Sequence, residues 1–331
     1  MASETVKPLV SFVMMAFNHE AVIAEAVTAA LAQDYSPLEI IISDDGSNDA
    51  TFEVLNHIVA AYRGPHAVRT RRAAKNAGIA SNFNYLIGES RGQFIVYADG
   101  DDISLPQRTS VLVQRWEAGG EGDALIFSDV EAIDREGRPV SGFPNLAAVG
   151  ETSIGRMAQG RVSILCAASA MSRSLADGFD AMLPSLTHVD RVLAFRALLM
   201  GGRVEAVNEK LVRYRTAGGI SRSRPLTGRG YLFGAGRASH ARMLEDARQR
   251  LRDARNAAPG DTALHRACTA TVADHEAFLD FADAPRWSLE ARLATWLGRG
   301  ARPGPLLRLY LKHRLAFFFD LYYRRVRASP A

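Results

Sequence analysis

Gln93–Ala98 (QFIVYA), running straight into Asp99-Gly100-Asp101-Asp102, is the stretch on which the fold reading turns. Six uncharged residues, rich in β-branched and aromatic side chains, have the length and composition of a buried strand. The abrupt change to Asp-Gly-Asp-Asp ends that strand and places three carboxylates at its terminus. The same arrangement, an apolar run closed by a polar turn, occurs twice upstream. Leu9–Met15 (LVSFVMM) reads as a strand followed by Asn18, with Ala21, Ile23, Ala24, Val27 and Leu31 then lying on one side of a helix. Leu38–Ser43 (LEIIIS) closes on Asp44-Asp45-Gly46-Ser47-Asn48-Asp49, and Thr51–Tyr62 reads as the next helix. Val68–Arg72 is a third, shorter strand, and Ala124–Val130 is another after Ala98. Asn82–Glu89 and Pro106–Trp116 are helical. Strand–helix alternation with continuous apolar strands predicts an α/β fold, a mostly parallel sheet flanked by helices. Ligands of such sheets sit beyond the carboxyl ends of the strands. Asn18, Asp44–Asp49 and Asp99–Asp102 all fall there.

Further along, the pattern is more mixed. Cys166–Met171 reads as a strand, Val189–Met200 as a helix, and Lys210–Tyr214 as a strand feeding Gly218-Gly219. Beyond Arg224 the strand signals vanish, and helices are expected at about 230–257, 262–283, 288–298 and 304–327. The expected division is therefore a domain at 1–222 and a helical C-terminal region at 223–331.

Composition narrows the class. The 331 residues are 47% hydrophobic and 23% charged, which excludes collagen-like and wholly disordered chains. Two distant cysteines, Cys166 and Cys268, make no disulfide framework and point to a reducing, cytoplasmic setting. The opening MASETVKPLVSFVMMAFNHE lacks the basic-then-apolar pattern of a signal peptide, and no apolar run has the length of a membrane span. The net charge of +4 hides an asymmetry: residues 1–222 carry −5 and residues 223–331 carry +9. A basic C-terminal third suits an anionic partner. Nucleic acid is disfavoured, since the basic region holds no reading motif.

The acidic turn has a specific chemistry. Carboxylates at i and i+2 of a turn can converge on a hard divalent cation, Mn²⁺ or Mg²⁺, and through it on phosphate. The alternative is a solvated turn capping the helix near Pro106. At the second strand end, a carboxylate at Asp44 or Asp45 can accept a hydrogen bond from a nucleobase N–H, while Gly46 admits a close backbone approach. The alternative there is an Asx turn leading into the helix at Thr51.

Taken together, AFNHE (16–20), ISDDGSNDAT (42–51), NAGIASNFN (76–84) and GQFIVYADGDDISLPQR (92–108) resemble, in order and spacing, family 2 glycosyltransferases of the GT-A fold. HVDRVLAFRALLMGG (188–202) resembles the family's base-bearing helix, and LVRYRTAGGIS (211–221) the segment after it, so the resemblance covers about 8–222. It implies a nucleotide-binding half at about 8–112 and an acceptor half at 113–222. It also implies a nucleotide-binding set of Ala16, Phe17, Asn18, Asp45, Asn76, Gly78 and Asp99, with Phe17 stacking on the base and Asp45 hydrogen bonding it. Asp99 and Asp101 are the implied metal ligands and Asp190 the implied general base. The implied partners are a nucleotide-diphosphate sugar of UDP or dTDP type and a glycan or glycolipid acceptor.

Two positions depart from the family pattern. Val189 stands where an acid usually precedes the base, which leaves His188 as a second candidate for the proton. Ala217 stands where many relatives have a histidine, so Arg213 or Arg215 becomes the candidate source of charge for the leaving phosphate. A nucleotidyltransferase and an inactive nucleotide-sugar-binding module remain the alternative readings. The former lacks a Gly-rich basic loop after the first strand. Finally, PLLRLYLKHRLAFFFDLYYRRVRA (305–328) mixes aromatic, apolar and basic residues in a way that suits peripheral contact with a membrane surface; the alternative is a helix whose aromatic face packs on the catalytic domain or a second subunit.

Overall fold

The structure is a computed structural model and describes residues 6–144, 153–160, 164–216, 234, 236–283 and 288–314. Strand β1 (Val10–Ala16) and β2 (Leu38–Asp44) are buried along their whole lengths, in keeping with their mostly apolar sequences. They pair in parallel, β1 pairs in parallel with β4 (Phe94–Asp99), and β2 with β3 (Ala67–Arg72). Helices α1 (Ile23–Leu31), α2 (Thr51–Ala61) and α3 (Ile79–Glu89) connect them. Phe12, Met14, Ile40, Ile42, Phe94 and Val96 form the centre of the core. The Phe94 ring stacks on Trp116 with centroids 5.0 Å apart. A buried acid within β2, Glu39, accepts hydrogen bonds from Ser11 Oγ and the Arg91 N–H, both at 2.6 Å.

The register matters for function. Met15 pairs with both Ser43 and Asp99, and Ala16 pairs with Asp44, so the polar ends of β1, β2 and β4 form one row. The strand and helix positions read from the sequence agree with these elements to within a few residues.

The second half differs from expectation in three respects. After β4 come a two-residue β5 (Ile103–Ser104), α4 (Arg108–Ala118) and β6 (Ala124–Ile133). Helix α5 (Ile154–Ala158) precedes a 3₁₀ turn at Cys166–Ala168, followed by β7 (Ser169–Ser172), α6 (Arg173–Asp177), α7 (Val189–Leu199) and β8 (Arg203–Arg215). The expected strand at Cys166–Met171 is thus a turn and then a short strand, and β7 runs antiparallel to both β4 and β6. The expected strand at Lys210–Tyr214 is the end of a 13-residue strand. Its polar first half, RVEAVNEK, masks the signal, because β8 is half-buried or exposed there at every residue but Val207. Strand β5 had no sequence signal; two residues suffice because β8 supplies its partner antiparallel. Among the described residues the sheet has the order β3-β2-β1-β4-β7-β6-β8-β5.

The chain divides into two compact units, 1–154 with 162–218, and 155–161 with 219–331. The second unit contains α8 (Gly236–Ala257), α9 (Thr262–Asp283), α10 (Leu289–Gly298) and α11 (Pro303–Arg314). Phe281, Leu289, Trp296, Leu306 and Leu309 share its apolar core. No described helix is long and apolar enough to cross a membrane. Of the expected helix at 304–327, residues 315 onward lie outside the described part.

Candidate active site

The row of strand ends is held together by hydrogen bonds between loops distant in sequence. Asn18, directly after β1, adopts a left-handed conformation with φ 55°. Its N–H donates to Ser47 Oγ at 2.8 Å, and its own Oδ1 accepts the Asn48 N–H at 3.1 Å. The Glu20 N–H reaches Asp49 at 3.2 Å, and the Ala50 N–H returns to Glu20 at 3.0 Å. Asp44 is buried, accepts from the Ser47 N–H and hydroxyl, and lies 3.8 Å from the Arg72 guanidinium. These bonds tie the β1–α1 and β2–α2 loops into one rigid shelf. Phe17 follows directly on β1 and is 39% exposed, one of the exposed large apolar side chains among the described residues.

Asp45 has a different task. Its N–H donates to the Ala16 carbonyl at 2.9 Å, while its two carboxylate oxygens accept the N–H groups of Ala77 and Gly78 at 3.1 and 2.9 Å. It straps the start of α3 against the β2 end. Gly46 makes the approach feasible: with φ +74°, a Cβ there would stand 2.7 Å from the Lys75 carbonyl carbon and 2.9 Å from the exposed Asn76 at its backbone nitrogen. No L side chain fits.

At the end of β4 the three aspartates separate by role. Asp99 and Asp101 are half-buried, and Tyr97 donates its hydroxyl to Asp99 at 2.7 Å. Burial first, and then the Asp101 charge, push the Asp99 carboxyl up to about 7, against the Tyr97 hydrogen bond and the Arg108 charge. Asp102 turns inward instead. One oxygen accepts the Arg215 N–H at 2.7 Å, and the other is buried with no hydrogen-bond partner among the described residues. Burial and the neighbouring acids raise its pKa well above the usual carboxylate range. Behind the turn lies Arg108, fully buried, donating to the Tyr97 carbonyl at 2.6 Å and to Ser104 Oγ at 2.8 Å. Burial pushes its pKa down to about 10, so it stays charged at neutral pH and faces Asp99 and Asp102. Arg108 and Tyr97 were given no role from sequence. The signal was an arginine two residues after Pro106, at the start of a helix that follows an acidic turn.

Asp190 lies in the first turn of α7 and is half-buried, accepting the Arg191 N–H at 2.8 Å. Its charge is felt at Asp99, and, after burial, Asp190 and Asp99 are the main causes that hold the Cys166 thiol well above its usual pKa. Asp190, Asp99 and Cys166 therefore lie within electrostatic reach of one another. His188 is the residue before α7, with Nδ1 3.4 Å from the Thr187 hydroxyl.

The arginines at the end of β8 have partners within the protein. Arg213 donates to Glu131 at 3.1 Å and to the Gly137 carbonyl at 2.8 Å. Arg215 is buried and donates to the carbonyls of Asp101 and Asp134 at 3.0 and 3.1 Å. Neither presents an open guanidinium fork, and Ala217 lies outside the described residues.

The donor chemistry at Asp99 and Asp101 fits a hard divalent cation, because two oxygen ligands repel one another there and a cation would relieve it. Among the described residues no three His, Cys, Asp or Glu side chains converge to enclose a metal ion. A cation at Asp101 would complete its shell from a bound phosphate and water.

With this geometry in place, the comparisons are clear about family. The family model described as glycosyl transferase family 2 matches residues 11–177, just over half of the chain. The chain belongs to that family. Its sequence is 35% identical over 127 residues to succinoglycan biosynthesis protein ExoO of Rhizobium meliloti, covering 38% of this chain and 35% of that protein. It is 32% identical over 101 residues to putative glycosyltransferase EpsE of Bacillus subtilis, covering 30% and 36%. The match therefore spans about a third of the length of these relatives. In fold, the chain is similar to S. aureus TarS 1-349 in complex with UDP, with a TM-score of 0.59, 15% identity and coverage of 96% and 89%. It is also similar to the mannosyltransferase PcManGT from Pyrobaculum calidifontis in complex with GDP-Man and Mn²⁺, with a TM-score of 0.52, 18% identity and coverage of 98% and 87%. The fold is that of the GT-A glycosyltransferases, with a helical C-terminal region.

Proposed function

We propose that this chain is an inverting, metal-dependent glycosyltransferase that moves a sugar from a nucleotide diphosphate to a hydroxyl of a glycan or glycolipid. The observation that carries this reading is the row Phe17, Asp45, Asp99 and Asp101 at adjacent strand ends, with the Asp190 charge reaching Asp99. Phe17 stacks on the base. Asp45, rigid because it holds two backbone N–H groups, keeps lone pairs for a base N–H. Asn76 and Gly78 border the base, and Asp99 lies beside the ribose. Asp101 and Asp99 hold the cation, which when bound offsets charge on the leaving diphosphate. Asp190 accepts the proton of the acceptor hydroxyl. Val189 beside it is buried in the fold, and His188 is the second candidate for the proton. Arg215 and Arg108 act from behind, keeping the acidic turn in place.

The donor is a UDP- or dTDP-type sugar, a reading supported by the UDP bound to TarS; the GDP-Man bound to PcManGT keeps guanosine donors in the panel. The name of ExoO supports a polysaccharide product. Residues 1–222 carry the chemistry. The reaction runs on the cytoplasmic side of a membrane, with 305–328 making peripheral contact; Leu307 and Leu311 on α11 are 50% and 45% exposed beside the exposed Arg308.

The test is a thermal-shift panel of UDP-, dTDP- and GDP-sugars with and without Mn²⁺, followed by product analysis of any donor that binds. A metal-dependent shift with release of nucleoside diphosphate supports the reading. Release of pyrophosphate instead would make the protein a nucleotidyltransferase. Binding without release under any acceptor tried would make it a binding module.

A further inference from the structure

Three consecutive residues of α3, Asn82-Phe83-Asn84, each grip a different part of the proposed site. Asn82 is buried and exchanges two hydrogen bonds with Ser43 on β2: it accepts the hydroxyl at 2.5 Å and donates to the carbonyl at 3.1 Å. Phe83 packs on Tyr97, 5.9 Å between centroids, and Tyr97 in turn holds Asp99. Asn84 reaches furthest. Its Oδ1 accepts the Met182 N–H at 3.0 Å and its Nδ2 donates to the Met182 carbonyl at 2.8 Å, across 98 positions of sequence.

Residues 178–188, which lead into Asp190, form no helix or strand. Their backbone groups need partners all the same. The Asn84 amide meets both groups of Met182, as a neighbouring peptide would in a sheet. A second tie comes from α7, where Arg196 donates to the Asp180 carbonyl at 3.0 Å. Behind the segment lies a cavity of about 170 Å³ lined by Phe83, Ile87, Leu175, Phe179 and Leu193, so packing supports this stretch incompletely. On its other flank, a Cβ at Gly78 would be 3.6 Å from the Pro184 carbonyl oxygen, which sets the Asp45-strapped loop against the same segment.

We infer that Asn84 is a positioning residue for the transfer step: its side-chain amide sets the 179–188 segment, and through it Asp190, relative to the donor bound at the strand ends. This deepens the proposed function and rests on it for the role of Asp190. The clamp itself does not. Only a side chain with both a donor and an acceptor can hold Met182 in this way. In Asn84→Asp the acceptor is kept, but an oxygen faces the Met182 carbonyl. Asn84→Ala removes both bonds.

Two measurements on the full chain test it. In hydrogen–deuterium exchange, both variants should speed exchange of amides in 179–189, Met182 foremost, and leave β1, β2 and β4 unchanged. Uniform speeding across the sheet, or no change at 179–189, overturns the clamp. The second measurement is nucleoside diphosphate release from UDP-GlcNAc and GDP-mannose with Mn²⁺. Both variants should lose about 10- to 100-fold in kcat, with donor KM within about twofold of wild type. Loss of donor affinity in step with kcat, or unchanged kcat, would overturn the positioning role. A wild-type protein that releases no diphosphate from any donor would sink the proposed function instead, and the role inferred for Asn84 in transfer with it, while the exchange result still decides the clamp.

Discussion

Asp102 accepts the backbone N–H of Arg215 at 2.7 Å, which fastens the turn after β4 to the last residue of β8. The Arg215 side chain completes the joint from the other direction, donating to the Asp101 carbonyl at 3.0 Å. The Asp-Gly-Asp-Asp turn thus has an outward half, Asp99 and Asp101, and an inward half, Asp102.

That division predicts opposite phenotypes for neighbouring residues. Asp102→Ala leaves the buried Arg215 N–H without an acceptor and should cost about 1–3 kcal/mol of stability. Asp101→Ala removes a half-buried side chain that has no hydrogen bond or ion pair among the described residues, and should stay within about 0.5 kcal/mol of wild type, while abolishing the metal dependence of donor binding. Urea denaturation midpoints and titrations of the donor with and without Mn²⁺ check both. If Asp101→Ala binds donor with unchanged metal dependence, the assignment of the cation to this turn is wrong.

Phe17→Ala should separate binding from folding in a similar way. The ring is partly exposed and lies outside the apolar core cluster, so stability should change little. Base stacking on an aromatic ring contributes about 1–3 kcal/mol, so nucleotide affinity should fall by about 5- to 150-fold. Calorimetric titration with UDP and Mn²⁺ measures this, and equal affinity in the variant would remove Phe17 from the base site.

Gly46→Ala tests the close approach of the two loops. The left-handed backbone alone costs about 1–2 kcal/mol for a residue with a Cβ. The added carbon would also strike the Lys75 backbone at 2.7 Å. The variant should be destabilised and should bind nucleotide weakly, since the Asn76–Gly78 loop is displaced. A variant as stable as wild type would show that the loop yields freely.

A pH prediction follows from Glu39. Burial alone would raise its pKa, but hydrogen bonds from Ser11, the Arg91 N–H and Arg69, with the charge of Arg69, outweigh it and hold it below 4.5. A carboxyl depressed in the folded state stabilises above its unfolded pKa and loses that contribution as pH falls through the folded value. Wild type should therefore lose stability as pH drops below about 4.5, and Glu39→Gln should lose less over that window, though less stable at pH 7. Urea midpoints between pH 7 and the acid limit decide it; parallel curves for the two proteins would contradict the assignment.

Much of the first half was legible in the sequence because its physics is local. Short, mostly apolar runs of six or seven residues bounded by turn residues read as buried strands, and the polar turns after Met15, Ser43 and Ala98 mark their ends. The second half was harder. Strand β8 carries Arg203, Glu205, Asn208, Glu209 and Lys210, a polar pattern that hides a strand made by pairing with β6. Strand β7 is four residues long and takes its direction from β4 and β6, which no local pattern encodes. In the site, Asp45 and Asp101 stand out by residue type and turn position. Arg215 has the right chemistry for a phosphate, but its partners come from the DGDD turn and the end of β6. Asn84 looks like any polar helix residue until Met182 is placed beside it.

Asp190 is the residue on which the proposed transfer depends most directly. Asp190→Asn keeps the shape of the side chain but cannot accept a proton, so the release of nucleoside diphosphate should fall by about 10²–10⁴-fold. Donor affinity, measured in the same preparation by titration in the presence of Mn²⁺, should be nearly unchanged. Turnover equal to wild type in Asp190→Asn would contradict the account and move the proton to His188 or to a residue outside this site.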